Sequence, residues 1–188
     1  MNKQPQVTER TRAALRDAFW SLYAGAEGVP GLSVERIPIR AITDRAGYNR
    51  ATFYLYYRDV YDLLGQIEDE LLEGVRELVE DHLMGDEELD FHGHMELIVR
   101  LTRQGRGRFA VLMGAHGDPS FAVRLKRILR PLVDRFLVTD PGLDDVRRDL
   151  LGELYLSGLL AAVTRWFMEA PEMPVEDFVE LVAGALLP

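Results

Sequence analysis

The sequence predicts an all-α protein, and three observations carry that expectation. Apolar residues recur at three- and four-residue steps along most of the chain, no period-two run of any length occurs, and glycine or proline bounds each periodic segment. Hydrophobic residues make up 47% of the 188 and charged residues 28%, the balance of a globular chain rather than a disordered one.

The first helix falls between residues 8 and 26, where Leu15, Ala18, Phe19, Leu22 and Tyr23 share one face. Thr8 is placed to cap it, and Arg10, Arg12, Arg16 and Asp17 face water. Gly25, Gly28, Pro30 and Gly31 then break the helix into a loop. A short helix is expected from Pro38 to Arg45, with Gly47 in the left-handed position that ends it and Asn49 capping the next. That is a helix, a tight turn and a helix. Ile39, Ile42, Ala46, Phe53 and Tyr57 form the inner faces of the pair, and the small Ala46 and Gly47 permit a close crossing.

From Asp59 a longer run begins, in which Leu63, Leu64, Ile67, Leu71, Val75, Leu78, Val79 and Leu83 hold one stripe to about residue 84. Further helices are expected at about 94–104, 108–114, 119–138, 144–169 and 175–187, with Asp118-Pro119 a strong start signal. Two domains follow, 1–58 and 59–188. The segment Asp149–Phe167 is apolar almost all the way round, and a helix of that kind must be covered on every side. Leu151, Tyr155, Gly158, Leu159 and Ala162, with Phe178 and Val182 of the last helix, are therefore the expected face of a homodimer, Gly158 and Ala162 admitting a second helix closely. A central core helix of a monomer is the other reading of the same residues.

The chain carries a net charge of −9, which opposes nucleic-acid binding unless the charge is segregated. It is segregated. Residues 1–65 hold nine Lys and Arg against seven Asp and Glu, whereas 66–188 hold thirteen against twenty-four. Between residues 36 and 58, Arg36, Arg40, Arg45, Arg50 and Arg58 face a single acid, Asp44. With the apolar side chains turned inward, Asn49, Arg50, Thr52, Tyr54 and Tyr56 project from the second helix of the pair, a polar set that a major groove admits.

Several chemistries are missing. The absence of cysteine removes disulfides, thiolate zinc sites and cysteine nucleophiles together. A di-iron carboxylate bundle needs Glu three residues before His, yet His82, His92, His94 and His116 follow Val79, Leu89, Phe91 and Met113 at that spacing. No nucleophile elbow or phosphate-cradling glycine loop occurs. No catalytic residue, metal or cofactor is expected, and the chain is not read as an enzyme. The longest apolar stretch, Leu154 to Val163, is about half the ~20 residues a bilayer crossing needs. Met1 to Arg12 lack the apolar run of a signal peptide, so no membrane association and a cytoplasmic location are expected.

Residues Ile39 to Leu64 resemble the N-terminal motif of the TetR family of bacterial transcriptional regulators. Ile42, Ala46, Gly47, Thr52, Phe53, Tyr54, Tyr56, Tyr57, Asp59 and Leu63 stand at the matching positions, with changes at Tyr48, Asn49 and Ala51. The resemblance implies a recognition helix over 49–56, with Asn49, Arg50, Thr52, Tyr54 and Tyr56 meeting bases or phosphates and Arg40 and Arg58 holding the backbone. It also implies a homodimer on a double-stranded DNA operator and a C-terminal domain that binds a small-molecule effector, with repression the commonest outcome. Phe109, Met113, Phe121, Tyr155 and Trp166 are the candidate effector-lining residues, and the acidity of this region leaves room for a cationic effector. Pro38 stands where a capping Ser or Thr is usual, and Val60 where a Lys is. Both departures imply fewer phosphate contacts and a shallower salt dependence. A helical protein-interaction or ligand-buffering module that has lost DNA binding is the alternative.

Overall fold

The computed structural model describes residues 3–26, 29–80, 107–114, 117–170 and 172–186. These are mainly helical: α1 (Lys3–Tyr23), α2 (Ile39–Ala46), α3 (Arg50–Tyr54), α4 (Val60–Leu78), α5 (Arg108–Leu112), α6 (Pro119–Phe136), α7 (Asp145–Glu169) and α8 (Val175–Leu186). The helix expected at 94–104, the end of the stripe at Leu83 and all four histidines lie outside the described residues. The described residues divide into two compact units between Glu70 and Leu71, so the first part of α4 belongs with the N-terminal unit.

In that unit Leu15, Ala18, Phe19 and Tyr23 of α1 are buried with Ile37, Ile42, Phe53, Tyr57, Leu63, Leu64 and Ile67. Each large apolar side chain buried there contributes roughly 1.5–3 kcal/mol. The α1 helix starts at Lys3, ahead of the expected cap, so Thr8 lies inside it. Nor do all its polar residues face water: Arg16 is half-buried, donating to the Gln66 carbonyl at 3.4 Å and pairing with Glu70 at 2.6 Å. The glycine loop contains a two-residue antiparallel pairing, Gly25–Ala26 with Val29–Pro30, too short for a sequence period to reveal.

In the second unit α6 packs on α7, and α5 also packs on α7. Both long helices start where Asp signals them. Asp118 accepts from the Ser120 N–H and Asp144 from the Arg147 N–H, each at 2.8 Å. Trp166 is buried with Val175, Phe178, Val179 and Val182, and its indole N–H donates to the Met173 carbonyl at 3.1 Å. Val133, Val138 and Leu156 form a second cluster against which Leu151 and Tyr155 pack. Arg130 of α6 binds Asp134 and Asp149, each at 2.8 Å, and these bonds raise its pKa above the ordinary arginine value. Gly152 lies against it, and a β-carbon there would run into the guanidinium.

Candidate nucleic-acid interface and interior cavity

The turn between α2 and α3 is built by its own residues. Gly47 ends α2 with φ 75 and ψ 28, and the next N–H, that of Tyr48, reaches back to the Thr43 carbonyl at 2.9 Å. Gly47 takes the left-handed backbone that the sequence predicts, whereas the close helix crossing also expected of it makes no demand, since a β-carbon there would meet nothing within 4 Å. Pro38 occupies the cap position of α2 and supplies no side-chain bond, while Ile39 begins the helix. Asn49 caps α3, its Oδ1 accepting from the Thr52 N–H at 2.9 Å and the Thr52 hydroxyl at 3.1 Å.

Phe53 and Tyr57 point into the core, their rings 5.4 Å apart. That fixes the opposite side of α3 as outward. Ala51 and Leu55, the latter 77% exposed, lie there, while Tyr54 is 57% exposed on the flank and Arg50 is exposed at the first position of the helix. Of the seven residues expected at DNA, Arg40, Asn49, Arg50, Tyr54 and Arg58 are exposed. Thr52 and Tyr56 are half-buried, Thr52 tied to Asn49 and Tyr56 leaning on the Tyr57 ring at 6.4 Å. Sequence reasoning passed over Ala51 and Leu55. The signal was present: with Phe53 and Tyr57 four apart and inward, residues two positions before each lie on the far side of the helix.

Six exposed arginines, Arg10, Arg36, Arg40, Arg45, Arg50 and Arg58, belong to this unit. Arg40 lies 3.4 Å from Asp44 and Arg58 3.6 Å from Asp62, exposed pairs that hold their guanidinium groups only weakly. Behind Arg58, α4 is capped reciprocally. Asp59 accepts from the Asp62 N–H and Asp62 from the Arg58 N–H, both at 2.8 Å. The Arg58 N–H, with help from Gln66 and the Arg58 side chain, holds the Asp62 carboxyl below its ordinary pKa. Val60 is buried at the start of α4, so its departure from the usual Lys follows from core packing.

The second unit contains a small apolar cavity of about 60 Å³. Val75 and Leu78 of α4, Val79, Phe109 and Met113, Leu125 and Leu129 of α6, and Leu160 and Val163 of α7 line it, with Thr164 the one polar residue among the described walls. Phe109 and Met113 were expected in such a lining. Phe121, Tyr155 and Trp166 do not line it: Phe121 is fully buried with its ring 5.9 Å from that of Phe109, and the other two belong to the core clusters described above. No carboxylate is among the described walls. Among the described residues no group of three or more Asp, Glu or His could hold a metal, and no helix is long and apolar enough to cross a membrane.

Phe178 and Val182 turn inward onto Trp166, and Leu151, Tyr155, Leu159 and Ala162 are half-buried against the core clusters. The apolar surface left uncovered is a stripe along α7, with Val146 70% and Leu154 65% exposed, Leu150, Ala161 and Met168 exposed beside them, and Leu181 exposed on α8. A β-carbon on Gly158 or Gly184 would meet nothing within 4 Å.

No family model matches the sequence, and no curated protein matches it either. Solved structures do. A TetR transcriptional regulator from Streptococcus agalactiae superposes with a TM-score of 0.70 at 20% identity, covering 97% of both chains. A protein described as a TetR-family regulator from Syntrophomonas wolfei gives 0.67 at 13% identity, over 97% of this chain and 94% of the other. The chain has the TetR-regulator fold. The transcriptional regulator FadR from Bacillus subtilis, solved in complex with stearoyl-CoA, shares this fold with a TM-score of 0.61 at 16% identity, over 95% of this chain and 97% of its own. In the TetR fold the N-terminal unit holds the helix-turn-helix and the remaining helices form the second unit.

Proposed function

We propose that this chain is a ligand-responsive transcriptional regulator that binds an operator as a homodimer, most simply as a repressor. The observation that carries the reading is the outward face of α3. Arg50, Ala51, Tyr54 and Leu55 are exposed on and just after a short helix whose inner face is locked by Phe53 and Tyr57, within a unit bearing six exposed arginines. Arg50 supplies a cation for a guanine edge or a phosphate, Tyr54 a hydroxyl, and Leu55 and Ala51 apolar contact for thymine methyl groups. Arg40 and Arg58 hold the phosphate backbone and set the register. The amide of Asn49 keeps its N–H donors for DNA while its oxygen caps the helix.

The uncovered stripe of α7 with Leu181 of α8 supports self-association, since two copies would bury it and the open surface at Gly158 would admit the partner helix. A two-fold axis then pairs two reading heads with a near-palindromic site whose half-sites lie about one turn, roughly 34–36 Å, apart. The cavity supports effector binding, as does the stearoyl-CoA held by a neighbour of the same fold. Val75 and Leu78 of its wall belong to α4, the helix that leaves Arg58, so a ligand there acts on the same helix that follows the reading head. A coupling of about 1–3 kcal/mol gives a useful switch.

Selection and sequencing of genomic fragments retained by the purified protein tests the reading. Enrichment of an inverted repeat near a promoter is expected. Retention of fragments without sequence preference would instead favour the interaction or buffering module, whose support is the uncapped Pro38, the buried Val60 and the net charge of −9.

A further inference from the structure

We infer that Arg16 is a positioning residue for the recognition helix, a clamp with two positions that either holds α4 through Gln66 and Glu70 or turns to the Tyr57 hydroxyl and lets α4 go. The clamp rests on the regulator reading, in which a ligand acts through α4, and it adds the contact on which that action bears. Two observations lead to it.

The first is where the contact lies. One nitrogen of Arg16, Nη2, reaches both the Gln66 carbonyl at 3.4 Å and the Glu70 carboxylate at 2.6 Å. Arg12, one turn earlier on α1, donates to the Gln66 amide oxygen at 3.4 Å. Glu70 is the last residue of the N-terminal unit, so Arg16 makes the final tie before α4 continues into the second. From Gln66 the contacts run back toward the reading head: its side-chain N–H donates to Asp62 at 3.5 Å, and Asp62 accepts the Arg58 N–H at 2.8 Å. A shift of α4 at Arg16 thus bears on Arg58, which follows the recognition helix.

The second is what the contact leaves unmet. Arg16 Nε and the Tyr57 hydroxyl are both buried without a hydrogen-bond partner. A buried polar group that has lost water and gained nothing is costly, and such groups are seldom left so. The two act on each other: burial pushes the Tyr57 hydroxyl's pKa up, and Arg16 leads the charges that oppose it, ahead of Arg12. A swing of Arg16 that brings Nε to the phenol oxygen satisfies both groups and gives up the hold on Glu70. Each arrangement meets some groups and strands others, which is the condition for two positions of similar energy. The Glu70 carboxylate is exposed, so the pair is weak and a ligand that displaces α4 has little to overcome.

The chain has no cysteine, so two introduced cysteines take nitroxide labels at chosen places. Glu35→Cys in the N-terminal unit and Arg127→Cys on α6, both exposed, read the distance between the units by double electron–electron resonance, in the full chain diluted with unlabelled protein and without DNA. Against this labelled parent, Arg16→Ala and Glu70→Gln should each widen the distance distribution about twofold. Tyr57→Phe, which removes the second position and keeps the ring, should widen nothing and leave the urea midpoint unchanged or higher. Glu70→Gln should barely move that midpoint, whereas a bond that serves stability alone would lower it and leave the distances as they were. Because Glu70 is exposed, its variant decides the matter if Arg16→Ala does not fold.

An unchanged distribution in Glu70→Gln, or in a folded Arg16→Ala, would overturn the inference, as would a Tyr57→Phe distribution as wide as that of Arg16→Ala. The readout does not involve DNA. If operator binding fails while the distances behave as stated, the regulator reading falls and the clamp stands; the reverse result removes the clamp alone.

Discussion

Oδ1 of Asn49 accepts both the backbone N–H and the hydroxyl of Thr52, at 2.9 and 3.1 Å, closing the turn that presents α3. Two residues that the sequence offered as DNA contacts are thus bound to each other. Their first role is to set where the helix begins, and that role separates them experimentally. Asn49→Ala removes the cap and should cost about 1 kcal/mol of stability, read as a lower urea midpoint. Thr52→Val keeps the capped N–H and should cost less than half as much. A Thr52→Val protein as unstable as Asn49→Ala would show that the hydroxyl, and not the N–H, carries the cap.

Arg50 at the start of α3 and Leu55 at its end are both exposed, but they offer different chemistry to a duplex. Leu55→Ala should weaken binding to a selected operator severalfold, leave the salt dependence unchanged and relax the preference at one base position. Arg50→Ala should weaken it more. Equal binding of wild type and Leu55→Ala to every base at that position would remove Leu55 from the interface.

The cap of α4 is sensitive to acid. The Arg58 N–H and, secondarily, Gln66 and the Arg58 side chain hold the Asp62 carboxyl below its ordinary pKa, so the folded state binds the proton less readily than the unfolded one. This contribution is complete above the ordinary aspartate range, about pH 4, and is lost as pH falls through the lowered folded value. Asp62→Asn should therefore narrow the difference between urea midpoints at about pH 7 and about pH 3. An undiminished difference would place the acid sensitivity elsewhere.

The stripe on α7 predicts the oligomeric state. Leu154→Glu places a charge on an exposed apolar surface that needs no repacking inside the protomer, and Gly158→Trp fills the opening beside it. Both variants should remain folded and sediment as monomers where the wild type sediments as a dimer. A monomeric wild type, or dimers of undiminished affinity in both variants, would refute the interface.

Helix starts were legible where a cap was recognised: Asp118 and Asn49 each accept the N–H that their position calls for. The start of α1 was not, because its first turns carry no apolar stripe. Within helices the period located faces only where one side was polar. In α4 Leu72 is buried while Leu71 is half-exposed, a shift of one residue that the apolar run at 71–72 does not decide. In α7, apolar on all sides, nothing in the sequence separated Leu154, which faces out, from Leu156 and Trp166, which face in. The cavity shared this ambiguity: Phe109 and Met113 line it, whereas Trp166 stacks on Phe178 with ring centroids 4.8 Å apart. Large apolar side chains fill cores and line cavities with the same chemistry, and only the packing of neighbouring helices distinguishes the two.

The central claim is that the outer face of α3 lies against a duplex, and a salt titration of binding to a genome-selected fragment tests it most directly. The logarithm of the affinity should fall linearly with the logarithm of salt concentration, and Arg40→Ala or Arg58→Ala should each make that slope shallower by about one. A wild-type protein whose DNA binding shows no slope, or whose slope is unmoved by either substitution, would contradict the assignment.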